Sequence, residues 1–257
     1  MISAVNTLNR WPGLQSLLEP TNENSYFQPI KTEITHSSNT ESLKHFNDQQ
    51  LSIIHTASHM FNSEEGRLHM IFGPPGTGKS RTIAGIVLHL LDQLFVGNKL
   101  LICAPSNNAC NELTRRILDE FSHQKIPYTD GILVRVGGQP PEDENLCEHF
   151  HEFMIHKTVF QMLTNEPQPG QSQEPDCLNV LRFCCSKIIL IGDHNQLPPT
   201  VLSRNRTCCK DHPLSLSLYN RLYNIFEEGP AQIITMLKAQ YRMHPDICDL
   251  ANTLFYH

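Results

Sequence analysis

A glycine-rich segment between residues 73 and 80 constrains this chain more than any other part of its sequence. It reads Gly-Pro-Pro-Gly-Thr-Gly-Lys-Ser and fits the phosphate-binding loop pattern G-x-x-x-x-G-K-[ST] at every fixed position. The apolar run from Leu68 to Phe72 is typical of a buried strand, and apolar residues recur at helical spacing from Ile83 to Leu94. Glycines in such a turn let backbone N–H groups face phosphate oxygens at a helix N-terminus. The segment predicts a nucleoside triphosphate site, and the alternative is an ordinary glycine-rich turn.

The residue types in the loop predict particular contacts. Lys79 would reach the β- and γ-phosphates, and the Ser80 hydroxyl would ligate Mg²⁺. The residues expected around the nucleotide in this part of the chain are Gly73, Pro74, Pro75, Gly76, Thr77, Gly78, Lys79, Ser80 and Thr82.

Strand and helix patterns alternate along most of the chain. Five apolar runs predict strands: Leu68 to Phe72, Leu100 to Ala104, Ile132 to Val136, Lys187 to Ile191 and Gln232 to Leu237. Helical patterns begin at Phe46, follow the loop, and recur from Ala109 to Phe121 and from Pro213 to Glu227. This alternation predicts an α/β fold with a mostly parallel sheet covered on both faces. Residues 1 to 45 are rich in proline and polar residues, which indicates a linker or the remnant of a preceding domain.

Composition limits the compartment and the class of protein. A chain of 257 residues with 39% hydrophobic content can bury one sizeable core or two small ones. No apolar stretch approaches the roughly 18 residues of a membrane span, and the N-terminus lacks a signal-peptide pattern, so we expect an intracellular protein without membrane contact. The net charge of −6 offers no global attraction to nucleic acid but leaves a local basic channel possible.

Four further segments carry recognisable motifs in a fixed order. They are Phe46-Asn47-Asp48-Gln49-Gln50, then Ala104-Pro105-Ser106-Asn107-Asn108-Ala109, then the stretch from Gly192 to Thr200, and finally Gln240-Tyr241-Arg242-Met243-His244-Pro245. Together with the loop they resemble the superfamily 1 RNA/DNA helicases, and most of all the senataxin-like members of the Upf-type branch (superfamily 1B). The segment from Gly170 to Pro175 belongs to the same resemblance. The resemblance extends from Phe46 to the C-terminus, except for the stretch from Gly138 to Pro169.

The resemblance implies roles for individual residues. Gln50 would read the adenine edge, and Gln196 would sense the γ-phosphate. Asp193 would belong to the nucleotide site, Arg242 would contact the γ-phosphate, and Tyr241 would pack near the nucleotide. Pro105, Ser106 and Asn107 would touch the nucleic-acid backbone. Structural alternatives stay open: a solvated helix start for Gln50, a helix N-cap for Ser106, a polar turn after a strand, and a salt bridge for Arg242. His194-Asn195 departs from the Pro-Lys usual in the family.

The same resemblance implies the fold and the activity. We expect a RecA-like P-loop domain and an ATP-dependent helicase of the 5′-to-3′ translocase class, with ATP and Mg²⁺ as cofactors. Single-stranded RNA or DNA, or an RNA/DNA hybrid, would be the partner, and the nucleus the location. A small-molecule kinase or GTPase sharing only the loop is disfavoured, because the Gln196 and Arg242 motifs do not belong to those families.

One part of the family pattern is missing. Where the family has adjacent Asp and Glu carboxylates (Walker B), this chain has Pro167 and Gln168, with Pro169 in place of an alanine. Glu166 stands one residue early, which on a strand turns its side chain to the opposite face. Hydrolysis needs an activated water as well as a phosphate site, so this loss predicts slow turnover. The alternative to an active helicase is a catalytically silent nucleotide- or nucleic-acid-binding fragment.

These observations predict three regions, of which the first is the linker or domain remnant at residues 1 to 45. Residues 46 to 230 would form the first RecA-like domain, with a departure from the family pattern at 138 to 169 and without the Walker B strand. Residues 231 to 257 would open a truncated second RecA-like domain, and the chain would be an incomplete gene model, a splice form or a fragment.

Overall fold

The computed structural model of the protein describes residues 11, 13–21, 23–30, 43–91, 99–126, 133–134, 174–181, 185–199, 215–228 and 233–256. Within these residues, helices cover both faces of one sheet. The helices are α1 (Leu14–Leu18), α2 (Asp48–Asn62), α3 (Lys79–Leu91), α4 (Asn107–His123), α5 (Glu174–Leu181), α6 (Leu218–Phe226) and α7 (Pro245–Ala251), with a 3₁₀ turn at Ser25–Phe27 and a π-helical segment at Asn252–Tyr256. The predicted α/β fold is confirmed. None of the described helices is both long and apolar enough to cross a membrane.

The sheet gathers three strand ends at one edge. Strand β1 (Arg67–Phe72) lies between β2 (Lys187–Gly192) and β3 (Ile234–Met236), and both neighbours run parallel to it. Phe72 pairs with Gly192 on one side and Met236 on the other. The backbone N–H of Gly73 donates to the Gly192 carbonyl at 2.9 Å. The residues that follow all three strands therefore meet beside the phosphate-loop sequence.

Side chains of β1 alternate between two hydrophobic clusters, as the two-residue period of a strand requires. Leu68, Met70 and Phe72 join a cluster with α6, and Ile71 joins a cluster with α2 and α3. A third cluster lies between α3 and α4. Burial on both faces explains why β1 is an almost continuous apolar run.

The described N-terminal residues do not behave as a linker, which was one of the two alternatives predicted for residues 1 to 45. The described residues between 11 and 30 pack onto the sheet, and Trp11, Leu17, Tyr26 and Phe27 are buried in the same cluster as β1. The indole N–H of Trp11 donates to the Cys185 carbonyl at 2.7 Å. The sequence did not predict this packing, because the buried apolar residues are separated by prolines and polar residues and form no periodic pattern. This part of the chain belongs to the core.

Three of the five predicted strands are present in the sheet, and one of the other two is absent. Strands at 68–72, 187–191 and 232–237 are confirmed, although β3 has only three residues. Leu100 to Ala104 forms no strand, and Leu101 is 54% exposed. A parallel strand needs a hydrogen-bonded neighbour, and no described strand lies beside this segment. Of the predicted strand at 132–136, only residues 133 and 134 are described, and they are not in a strand.

Candidate functional site

The loop between β1 and α3 has the backbone shape that its glycines allow. Gly76 and Gly78 have φ angles of +80° and +84°, a region that side chains rarely adopt. Each approaches another segment closely: a Cβ on Gly76 would lie 2.9 Å from Arg242 Cβ, and one on Gly78 would lie 2.8 Å from Gln50 Nε2. The loop is thus in direct contact with two of the motifs that were predicted to serve the nucleotide.

Lys79, the first residue of α3, folds back over the loop. Its ammonium donates to the carbonyls of Gly73 and Pro74. Burial lowers the pKa of Lys79, the negative charge of Asp193 opposes this shift, and the positive charge of Arg242 adds to it. Three predicted site residues from distant parts of the sequence therefore influence one another here. Two cations beside a helix N-terminus form a favourable environment for a phosphate group.

Other loop side chains stabilise the turn itself. The Thr77 hydroxyl donates to the Pro74 carbonyl at 2.8 Å, and the Thr82 hydroxyl donates to the Gly78 carbonyl at 3.1 Å. Thr82 was predicted to contact the nucleotide, but its side chain is completely buried inside the first turn of α3. The Thr82 hydroxyl is already used by the Gly78 carbonyl within the first turn of α3, so its role here is to stabilise the start of the helix. Ser80 is half-buried in the same first turn.

Gln50 has one hydrogen-bonding group in use and one without a partner. Its side-chain oxygen accepts from the Asn47 backbone N–H at 3.2 Å, and the Asn47 side chain accepts from the Gln50 N–H at 2.8 Å. This reciprocal capping box starts α2. Gln50 is 2% exposed, and its Nε2 has no partner within the described residues. A buried amide donor beside Gly78 fits a ligand acceptor such as an adenine nitrogen.

Asp193 and Gln196 lie together in the turn that follows β2. One carboxylate oxygen of Asp193 accepts from the Asn195 backbone N–H at 3.0 Å, and the other accepts from the Gln196 side-chain amide at 2.8 Å. The Tyr256 hydroxyl donates to that second oxygen at 2.7 Å. Asp193 is 3% exposed, so its charge is held by these hydrogen bonds rather than by bulk water.

His194 occupies the position that holds proline in most of the resembled family. Its ring stacks on Tyr223, with centroids 3.9 Å apart, and contacts Phe72 at 4.6 Å. Burial lowers the pKa of His194, and the charges of Asp193 and Glu227 oppose that shift. The histidine therefore serves as an aromatic support that joins the turn to α6.

The segment that carries Arg242 is docked onto the loop. The Tyr241 backbone N–H donates to the Gly76 carbonyl at 2.9 Å, and the Asn47 side-chain amide donates to the Tyr241 hydroxyl at 2.6 Å. The Gln240 side-chain oxygen accepts from the Arg242 and Met243 N–H groups at 2.8 and 2.7 Å. Tyr241 itself is 64% exposed, which leaves its ring face open beside the capping box.

Beside these contacts, residues of the loop and of the docked segment line a cavity of about 180 Å³. Pro74, Pro75 and Thr77 line one side, and Lys238, Gln240 and Tyr256 contribute to the other. The cavity therefore lies at the carboxyl edge of the sheet, where parallel α/β folds generally bind ligands.

The predicted nucleic-acid residues lie apart from this cavity. Ser106 is the N-cap of α4, and its side-chain oxygen accepts from the Ala109 N–H at 3.2 Å. The helix-cap alternative is therefore realised for Ser106. A capping hydroxyl can still donate its own proton outward, and Pro105 is exposed beside it. Asn107 begins the helix.

Sequence reasoning missed several residues that build this site. Asn47 joins α2 to Tyr241, Gln49 accepts from the Lys238 N–H at 2.8 Å, and Asn195 and Tyr256 hold the Asp193 turn. The N-x-x-Q spacing from Asn47 to Gln50 is a capping-box signal that could have found the first of them. The other contacts join residues far apart in sequence and leave no local pattern. Glu166, Pro167, Gln168 and Pro169 lie outside the described residues.

Comparisons with known proteins identify the relatives of this chain. A family model described as "AAA domain" matches residues 45–167 and 169–204, and a second model of the same description matches residues 214–257. The first match includes residues 138 to 167, where the sequence offered no recognisable motif, and it breaks at Gln168.

Individual relatives are longer proteins with modest identity. The chain is 25% identical to "Probable helicase senataxin" of Mus musculus over 84% of this chain and 13% of that protein. It is 27% identical to "Regulator of nonsense transcripts 1 homolog" of Neurospora crassa over 74% of this chain and 21% of that protein. It is also 27% identical to "ATP-dependent helicase NAM7" of Saccharomyces cerevisiae, over 74% and 24%.

The chain spans only a fraction of the length of these relatives. The aligned region with the mouse protein extends over 347 positions, more than the 257 residues of this chain. That relative therefore contains stretches without a counterpart in this chain.

Proposed function

Because the chain belongs to the Upf-type superfamily 1B helicases, we propose that it binds ATP at residues 73–80 and takes part in ATP-dependent work on RNA or DNA. Its three-stranded parallel sheet is that of a partial RecA-like P-loop domain. One observation carries the proposal: Lys79, Arg242 and Asp193, from three separate segments, converge at the carboxyl edge of the sheet. That convergence is what a triphosphate site requires.

Each part of the nucleotide has a counterpart among the residues present. The unpartnered Nε2 of Gln50 suits the adenine edge, and the Tyr241 ring offers an exposed face nearby. The backbone N–H groups of residues 73–80 and the Lys79 ammonium suit the phosphates. The Ser80 hydroxyl is the proposed Mg²⁺ ligand, and Mg²⁺ would neutralise charge on the phosphate oxygens.

The side chains around the γ-phosphate position suit charge stabilisation. Lys79 and Arg242 would each supply a positive charge where negative charge develops on the transferred phosphoryl group. Gln196 keeps its amide nitrogen on Asp193, which leaves its amide oxygen as an acceptor for the hydrogen of an attacking water. These residues bind and orient, but none of them is a strong base.

A second candidate function is a nucleotide-binding module with little or no turnover. It is favoured by Pro167 and Gln168, which replace the two carboxylates that the family uses for Mg²⁺ and for activating water. Loss of a general base typically costs about 10²- to 10⁴-fold in rate. For this chain of 257 residues, we consider the module the better description, with helicase activity a property of the family.

Nucleic-acid binding is proposed at the N-terminus of α4. Pro105, Ser106 and Asn107 present a capped helix start, and N–H groups at such a start suit a phosphate of single-stranded RNA or DNA, or of a hybrid. The 5′-to-3′ direction and a nuclear location follow from the family resemblance alone. Imaging of the tagged protein in cells would test that location, since exclusion from the nucleus would refute it.

ATP hydrolysis by the purified chain, measured with and without single-stranded RNA, tests the proposal. Lys79→Ala is the control, because it removes the phosphate-binding cation. RNA-stimulated turnover that Lys79→Ala abolishes would establish an active enzyme and refute the silent module. Nucleotide binding without turnover would support the module. Absence of both binding and turnover would refute the proposed function altogether.

A further inference from the structure

The turn that carries Asp193 and Gln196 is held by the π-helical segment Asn252–Tyr256. The Tyr256 hydroxyl donates to Asp193 Oδ2 at 2.7 Å, and the Asn195 side-chain amide donates to the Phe255 carbonyl at 2.8 Å. These contacts use different atoms and run in opposite directions between the two segments. They fasten the turn at two points.

Asp193 transmits this contact to Gln196. The oxygen that accepts from Tyr256 also accepts from the Gln196 amide nitrogen at 2.8 Å, while Oδ1 accepts from the Asn195 N–H. A carboxylate oxygen has two lone-pair directions, so the two donors together fix where each can lie. The orientation of the Gln196 amide therefore depends on the position of the Tyr256 hydroxyl.

Contacts with the sheet and with Asp193 restrict the position of the Tyr256 side chain. Its ring lies 6.1 Å from the ring of Phe72, the last residue of β1. Burial and the hydrogen bond to Asp193 raise the pKa of Tyr256, so its hydroxyl stays protonated and donates at neutral pH. Upstream of α7, the same stretch of chain contacts the loop, where the Tyr241 backbone N–H donates to the Gly76 carbonyl.

We propose that Tyr256 is a positioning residue for triphosphate recognition, acting through Asp193 to orient the Gln196 amide toward the γ-phosphate. The proposal rests on the proposed function, because it assumes that a nucleotide binds at residues 73–80. It assigns no contact between Tyr256 and the nucleotide itself. In this proposal the Tyr256 side chain links the C-terminal part of the chain, which also carries Arg242, to Gln196.

Tyr256→Phe tests this role, because it keeps the ring and removes only the hydroxyl. Fluorescence titration would give the Kd of ADP and of a non-hydrolysable ATP analogue, each with Mg²⁺. We expect the preference for the triphosphate to fall by about tenfold, the order expected for a lost hydrogen bond to a charged group. Any change in ADP affinity would be smaller, because ADP lacks the γ-phosphate.

Tyr26→Phe is the matched control. It also removes one tyrosine hydroxyl, which donates to the Ser186 carbonyl at 3.1 Å, but at the end of β2 opposite the nucleotide site. We expect it to lower stability without changing the ratio of the two Kd values. Gln196→Ala should lose the same preference as Tyr256→Phe, and the double variant should lose no more than either single variant.

The outcomes separate this inference from the proposed function. Wild-type protein that binds neither nucleotide would refute both. Binding without any triphosphate preference would refute the inference alone, as would an unchanged ratio in Tyr256→Phe. Tighter triphosphate binding by Tyr256→Phe would mean that the contact opposes binding, and this too would overturn the positioning role.

Discussion

His69 makes the stability of this domain depend on pH. The residue lies in the middle of β1, is 4% exposed, and its Nε2 has no partner within the described residues. Burial lowers the pKa of His69 from 6.5 to about 4. The unfolded chain therefore binds a proton below pH 6.5, whereas the folded chain stays neutral at this position until the pH approaches 4. The contribution of neutral His69 to the free energy of unfolding is therefore fully present above pH 6.5 and decreases as the pH falls toward 4.

The size of the effect follows from the shift. Each unit of pKa difference is about 1.36 kcal/mol, so the shift predicts a loss of about 3 kcal/mol of unfolding free energy between pH 6.5 and 4. This is a large fraction of the roughly 5–15 kcal/mol that stabilises a typical domain. Because β1 leads directly into the loop, the nucleotide site would be lost in the same transition.

Urea unfolding at a series of pH values between 7 and 4 measures this loss. His69→Leu removes the titrating group, and His123→Leu, at an exposed position ending α4, is the control. We expect the wild-type free energy to fall relative to that of His69→Leu by about 3 kcal/mol across the window, and to run parallel to that of His123→Leu. Parallel curves for wild type and His69→Leu would refute the reasoning.

Two further predictions concern the loop and the N-terminal segment. Gly78→Ala places a side chain at a positive φ and against the Gln50 amide, so we expect a loss of about 1–2 kcal/mol of stability and weaker nucleotide binding, measured by urea unfolding and fluorescence titration. Unchanged values for both would contradict the loop geometry. Trp11→Ala should cost about 3–5 kcal/mol because the ring is buried and its N–H donates to Cys185, whereas deletion of a true linker would cost nothing measurable.

Local patterns predicted the elements that depend on local physics. The loop, the helix after it and the apolar strands 68–72 and 187–191 were recognisable because glycine spacing and burial on two faces leave marks in the sequence. The order of the motifs indicated that Gln50, Arg242 and Gln196 lie near the loop. In the structure Gln50 lies beside Gly78 and Arg242 beside Gly76. Gln196 is hydrogen-bonded to Asp193 in the turn that follows β2.

Other features depend on long-range contacts that a sequence pattern does not contain. The N-terminal segment looked like a linker because its anchoring residues, Trp11 and Tyr26 among them, are separated by polar residues. The segment from Leu100 to Ala104 has the composition of a strand. Whether it forms one depends on a neighbouring strand with which its backbone can pair. The contacts of Tyr256 with Asp193 and of Asn47 with Tyr241 join positions 63 and 194 residues apart.

Equilibrium binding of a fluorescent ATP analogue with Mg²⁺ tests the central claim most directly, with wild type compared with Lys79→Ala and Gln50→Ala. If residues 73–80 bind the phosphates and Gln50 reads the base, wild type binds, Lys79→Ala loses most of its affinity, and Gln50→Ala loses discrimination between ATP and GTP analogues. Equal binding by all three proteins, or no binding by correctly folded wild type, would contradict the account.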